Sequence, residues 1–333
     1  MATADKLQKL LETKEAIRQA IVSKGVEISD DTVFADYAHK IDEIEAGSGG
    51  GESNYYWPEF FERRSRNANY LFANMNILDT ETRYKELIEN CDVSKNVTFM
   101  DTFSDFCTLD GCIKELDLTK WNVSNGASFL NMFDGCNLDY LDISGWNFTK
   151  VSSYIQLFFG TYIKEVNMTN CNISNITSHY RLCYQASNLV TINMTGCNTS
   201  KATNMNAMFG SCSKLITIIG EIDASNLTSG FYSSSSNNTF NGCTSLETVY
   251  LKNIYKDVTS MKNEAKWSIN LGVTKVKDEC LVYIINELPD LINDKGLTAT
   301  DKIVFTLPPT NTLTAEQVQV AIDKGWQVAN TTY

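Results

Sequence analysis

Few residues in this chain could carry chemistry. Asp117 and Asp142 occupy equivalent sites in two near-identical stretches, "ELDLTKWNVS" from Glu115 and "YLDISGWNFT" from Tyr140. Equivalent sites on adjacent strands lie about 4.8 Å apart, close enough for two carboxylates to act as a hydrolytic dyad. Two further copies, "EVNMTNCNIS" from Glu165 and "TINMTGCNTS" from Thr191, place Asn167 and Asn193 there instead. An amide cannot replace a catalytic carboxylate, so the position reads as one that accepts short polar side chains.

His179 stands near Cys183 in "SHYRLCYQ". A Cys–His nucleophile needs a third, orienting group, and none is evident, so His179 reads as a packing or surface residue. His39 reads as a solvated or interface residue. The ten cysteines include no CxxC pair, and several keep the period of the repeats. Cys136, Cys212 and Cys243 each follow a phenylalanine by three residues, and Cys171 and Cys197 replace Trp121 and Trp146. A side chain that exchanges with tryptophan fills a core, so buried free thiols are expected rather than disulfides or a metal site. No catalytic residue, cofactor or metal ligand is assigned, and an enzyme is not expected.

What must position such residues is the repeat itself. The four copies start at steps of 25, 25 and 26 residues, within the leucine-rich-repeat range. Each unit has a Phe-led turn ("MFDGC", "MFGSC", "TFNGC"), then an apolar-x-apolar strand: Leu116/Leu118, Leu141/Ile143, Val166/Met168, Ile192/Met194. One unit cannot bury its apolar face alone, but stacked units bury it against one another. Like residues then form ladders: aliphatic, Phe, Trp/Cys, and the amides Asn122, Asn147, Asn172 and Asn198. Those asparagines also spell N-x-S/T, which is read as a consequence of the coil rather than as glycosylation. Later units degrade, with an insertion in "TIIGEIDASN" and no equivalent asparagine in "TVYLKNIYKD".

The expected fold is α+β: a leucine-rich-repeat-like solenoid with short parallel strands, an N-terminal helical hairpin and a mixed α/β C-terminal cap. Residues 1–46 read as two amphipathic helices, with Leu7, Leu10, Leu11, Ile17 and Ile21 on one face and Phe34, Tyr37 and Ile41 on the other helix's stripe. A Gly/Ser linker spans 47–53, a cap of the solenoid 54–99, the repeats 100–261, and the closing cap 262–333. In that cap Thr314 and Gln317 spell a capping box before a helix that Gly325 ends, with a strand following.

A net charge of −12 with no basic block disfavours nucleic acid and anionic membranes. No apolar run is long enough to span a bilayer, and the charged opening "MATADKLQKLLETKEAIRQ" lacks the core of a signal peptide. Binding is what remains. The outward strand positions Glu115, Asp117, Tyr140, Asp142, Glu165, Asn167, Asn193 and Tyr250 make a polar, mostly acidic and amide-rich candidate face.

The unit, best seen in "MFDGCNLDYLDISGWNFTKVSSY" (132–154), resembles the BspA-like leucine-rich repeats of bacterial surface and phage proteins. The opening "DKLQKLLETKEAIRQAIVSKGVEISDDTVFADYAHKIDEI" resembles an N-terminal module of tailed-phage virion proteins from gut bacteria. Together these resemblances imply a virion protein of tail-fibre, head-fibre or decoration type, made in the bacterial host cytoplasm. Residues 1–46 would dock on other virion proteins through the apolar residues named above. The solenoid would meet a host cell-surface protein or glycan, and the fibre reading allows a homotrimer. A BspA-like bacterial adhesin and a virion-associated glycan hydrolase are the alternatives.

Overall fold

The computed structural model describes residues 17–19, 68–80, 82–151, 156–231, 237–259, 261, 267–297 and 303–332. The chain divides into two units, Met1–Phe60 and Phe61–Tyr333. Within the first, residues 17–19 are helical and Ile17 is half-buried. The other candidate docking residues (Leu7, Leu10, Leu11, Ile21, Phe34, Tyr37 and Ile41) and the 47–53 linker lie outside the described residues.

The second unit is a solenoid. Its strands β1 (Glu115–Asp117), β2 (Tyr140–Asp142), β3 (Glu165–Asn167), β4 (Thr191–Asn193), β5 (Thr217–Asp223) and β6 (Thr248–Lys252) form one parallel sheet in chain order. Leu116, Leu141, Val166, Ile192 and Ile218 oppose one another in successive pairs, as the ladder expectation requires. Each is buried, while the strand residues on either side face outward. One fully buried aliphatic side chain contributes roughly 1.5–3 kcal/mol, too little to hold a three-residue strand alone. The stacked register makes it sufficient.

Two aromatic ladders run beside the aliphatic one. Phe72, Phe103, Phe133 and Phe158 stack in sequence with ring centroids 5.1, 5.3 and 5.5 Å apart. Coil packing therefore extends N-terminal of Met100, back to "LFANM" at 71–75. The ladder breaks at Cys183 and resumes with Phe209 on Phe240. Trp121 and Trp146 stack at 6.2 Å, 7° from parallel, and Cys171 and Cys197 continue their line.

The α+β expectation needs correction. The second unit is a parallel-strand β-solenoid with few helices, because the backs of its coils are built from turns. Five successive turns carry left-handed residues four apart: Asp101 and Asp105, Asn131 and Gly135, Gln156 and Gly160, Arg181 and Gln185, Ala207 and Ser211. A right-handed helix cannot pass through such residues. Among the described residues of this unit, helices occur only before β1 and in the C-terminal cap.

Both ends of the sheet are closed by side chains. In helix α1 (Thr82–Glu89) the Glu89 carboxylate accepts the Asp117 amide at 2.9 Å, and the Ile88 carbonyl accepts Trp121 Nε1 at 2.8 Å. These contacts occupy an edge that would otherwise offer itself for pairing. At the other end β7 (Ile269–Asn270), α2 (Asp278–Glu287), β8 (Val304–Thr306), α3 (Ala315–Asp323) and β9 (Gln327–Ala329) build a cap with a parallel β7-β8-β9 sheet. Glu287 of α2 accepts the Asn253 amide at 2.7 Å, and Tyr283 packs edge-on against Tyr250 at 5.1 Å. The capping box is present in full, with Thr314 and Gln317 bonded reciprocally at 2.8 and 3.3 Å. Gly325, at φ +85°, ends α3, and β9 follows.

Candidate binding surface

Seven of the eight candidate face residues lie on β1 to β4, exposed or half-buried around the inward ladder. Glu115, Tyr140 and Glu165 form one column; Asp117, Asp142, Asn167 and Asn193 form the next. Tyr250 stands apart on β6. A register shift in β5 between Thr217 and Glu221 pairs Tyr250 with Glu221 rather than with the Asn193 column.

The second column has a local cause. Asp117 Oδ1 accepts the Thr119 amide at 2.9 Å, and Asp142 accepts Ser144 at 2.8 Å. Asn167 accepts Thr169 at 3.0 Å, and Asn193 accepts Thr195 at 3.0 Å. Each closes the turn that ends its strand, and an aspartate or asparagine oxygen serves equally. Asp117 and Asp142 are direct neighbours in register, but Asp142 is held as the anion. Burial pushes its pKa up, yet bonds from Ser144, Asn167 and Tyr140 outweigh that and leave it below the ordinary value. A shared-proton dyad needs one carboxyl raised instead.

The N-x-S/T asparagines act in the same way. Asn122, Asn147, Asn172 and Asn198 accept the amide two residues on, at 3.2, 3.1, 3.4 and 3.0 Å. They satisfy backbone groups as expected, but within their own coil; the hydroxyls of Ser124 and Ser174 add bonds of 2.7 and 2.8 Å.

His179 is buried, and burial lowers its pKa to about 4. Burial likewise raises the thiol pKa of Cys183, the opposite of what a nucleophile needs. All ten cysteines are free, eight of them buried. The exchange of Trp for Cys preserves a bond as well as a core position. Trp146 Nε1 donates to the Leu118 carbonyl at 2.7 Å, and the Cys171 and Cys197 thiols donate to Ile143 and Met168 at 3.1 Å each. Among the described residues no group of three His, Cys, Asp or Glu side chains is placed to hold a metal. A groove of about 350 Å³ lined by Glu247, Lys275, Lys277 and Asp278 is crossed by the Lys277–Glu247 ion pair at 3.1 Å.

Two surface features escaped the sequence reading. One is an Asn/Lys alternation three residues after each N-x-S/T asparagine: Lys150 Nζ donates to Asn125 at 2.6 Å, and Lys201 Nζ to Asn175 at 3.1 Å. Asn125 and Asn175 in turn donate to the Ser94 and Thr149 carbonyls of the preceding coil at 2.7 and 3.0 Å. The alternation was visible in "NVSN", "NFTK", "NISN" and "NTSK". The other feature lies in "SHYRLCYQ". The Arg181 guanidinium sits over the Tyr180 ring at 5.0 Å and the Tyr184 ring at 4.7 Å. Its signal was a Phe-led turn without its phenylalanine.

Residues 67–168 and 157–271 match a family model described as "Mycoplasma protein of unknown function, DUF285". The match and the solenoid both fit a BspA-like repeat protein. No curated protein and no solved structure matches the chain.

Proposed function

The chain belongs to the DUF285 family, and from that premise we propose that it is a non-enzymatic binding protein displayed at a surface. In this reading the solenoid is the contact part and residues 1–46 are the attachment part. One observation carries it. The inward positions repeat from coil to coil, while the outward ones are polar and braced within their own coils by the turns at Asp117, Asp142, Asn167 and Asn193. A face already held rigid loses little side-chain freedom when it meets a partner.

The carrier is a phage particle, favoured by the likeness of residues 5–44 to a virion module; a bacterial envelope is the second reading, favoured by the BspA-like coil. The solenoid meets a host surface protein or glycan, and no sugar is released in the encounter.

Labelled protein should bind host cells saturably, and the double change Glu115→Lys with Glu165→Lys should weaken that binding. Indifference of cell binding to both changes would count against the strand face. Deleting residues 1–50 should abolish incorporation into particles while the coils stay folded, and a truncated chain that still assembles would overturn the attachment role.

A further inference from the structure

One coil keeps the burial pattern of the others but changes the residues that fill it. Other coils bury Phe129 with Phe133, and Met205 with Phe209, and carry the half-buried Leu130 and Asp134, or the half-buried Asn206 and the buried Gly210, where this coil has Tyr180 and Tyr184. The coil at 178–186 buries His179 and Cys183 and carries Tyr180 and Tyr184 half-exposed on its outer side. Core packing gains nothing from that exchange, because the Phe ladder is broken there.

The outer aromatics are organised around a cation. Arg181 lies over both tyrosine rings. Such stacking engages the faces of the guanidinium and leaves its in-plane N–H edge to hydrogen-bond. Arg181 is half-buried; its Nε is buried without a hydrogen-bond partner, and none of the ion pairs among the described residues involves Arg181. Its backbone is left-handed at φ 54°, at a position filled by Asp101, Asn131, Gln156 and Ala207 in other coils. Aspartate and asparagine accept that conformation more readily than arginine does, so Asn131 shows what the turn itself would take. Beside the cation, Tyr184 and Phe159 lie 21° from parallel with centroids 6.0 Å apart. Gly210 leaves room for the Tyr184 ring, since a Cβ there would stand 2.8 Å from its Cδ2.

We infer that Arg181, Tyr180, Tyr184 and Phe159 form a binding site for a carboxylate-bearing saccharide, a uronate or a sialate. The terminal edge of the guanidinium, formed by its two Nη groups, takes the carboxylate through two N–H bonds, and the adjoining rings take the C–H face of the sugar. An acidic peptide without an aromatic or proline residue would satisfy the cation but has no ring to lay on Phe159 and Tyr184. This inference rests on the reading of the chain as a surface-binding protein and names the ligand class.

The full-length chain is tested on an array of uronate- and sialate-bearing saccharides, their neutral counterparts and acidic peptides, with host-cell binding measured in parallel. Carboxylated saccharides should be retained at least about tenfold better than the other two classes, and Arg181→Asn should remove that preference, as loss of a bidentate charge-assisted pair implies. Asparagine suits φ 54°, so the variant should unfold at the same temperature or higher. Equal retention of neutral sugars or peptides would overturn the site, as would a preference that survives Arg181→Asn. Loss of binding together with a lowered unfolding temperature would also overturn it, by marking Arg181 as structural. Cell binding that persists without any saccharide preference sinks this site alone, whereas loss of both sinks the surface-binding reading as well.

Discussion

Trp146 and Cys171, one coil apart, hold the same place in the stack and make the same bond: each donates to the strand-end carbonyl of the coil before, Leu118 at 2.7 Å and Ile143 at 3.1 Å. The position therefore asks for two things, apolar bulk and one donor aimed along the solenoid axis. Trp146→Phe keeps the stack on Trp121 and loses the donor; the Leu118 carbonyl still accepts the Trp121 amide at 3.0 Å, so the change should cost only about 0.5–1.5 kcal/mol, the net worth of one hydrogen bond. Trp146→Ala removes both and should cost about 3–5 kcal/mol. Denaturant titration of the two variants checks the order; a Phe variant as stable as the unaltered chain would show that the bond contributes nothing.

Gly135 and Ser211 occupy aligned left-handed positions, at φ +66° and φ +64°. A Cβ on Gly135 would collide with the Asp105 carboxylate, so Gly135→Ala should destabilise by more than the roughly 1–2 kcal/mol of the conformational penalty alone. At Ser211 the penalty is already present. Ser211→Gly relieves it at some cost in unfolded-chain entropy, and should stabilise by about 0.5–1 kcal/mol. Opposite shifts in unfolding temperature for these two substitutions are the expected result.

The aliphatic ladder was legible because Leu116, Leu141, Val166 and Ile192 recur at one period, and a period is all that stacking needs. The start of the coils was harder to see. Phe72 joins the Phe ladder, yet "LFANM" is not followed by an apolar-x-apolar strand, so its turn reads as cap. The role of Asp117 and Asp142 was half legible. Tolerance of Asn167 and Asn193 showed that charge was dispensable, but the turn that makes an oxygen necessary depends on backbone geometry. The Tyr180–Arg181–Tyr184 stack was illegible, because the ladder logic predicts the inward residues of a coil and is silent on the outward ones.

That turn makes a separable prediction for Asp142. Asp142→Asn keeps the acceptor for Ser144 and should change stability by less than about 0.5 kcal/mol near neutral pH, whereas Asp142→Ala should cost about 1 kcal/mol. The folded-state pKa of Asp142 lies below its ordinary value, so the contribution of its charge is present above the unfolded pKa of about 3.9 and is lost as pH falls through the folded value. Stability of the Asn variant should therefore fall less than that of the unaltered chain on acidification below about pH 4. Parallel acid titrations of the two proteins would expose any other ordering.

His179 sets a second, higher acid window. Buried where other coils carry Phe99 and Phe129, it has a pKa lowered to about 4 by desolvation. The unfolded chain binds its proton near pH 6.5 and the folded chain only near pH 4, so the unfolded state holds more protons between the two. Stability must then fall as pH drops from about 6.5 toward 4, by about 1.4 kcal/mol per unit and about 3 kcal/mol in all. His179→Phe restores the ring used elsewhere in the ladder and removes the titrating group. Its urea midpoint should stay flat from pH 7 to about 5, a range in which the unaltered chain loses roughly 2 kcal/mol. If both proteins decline in parallel over that interval, His179 is not the group responsible, and the acid sensitivity belongs to another part of the chain.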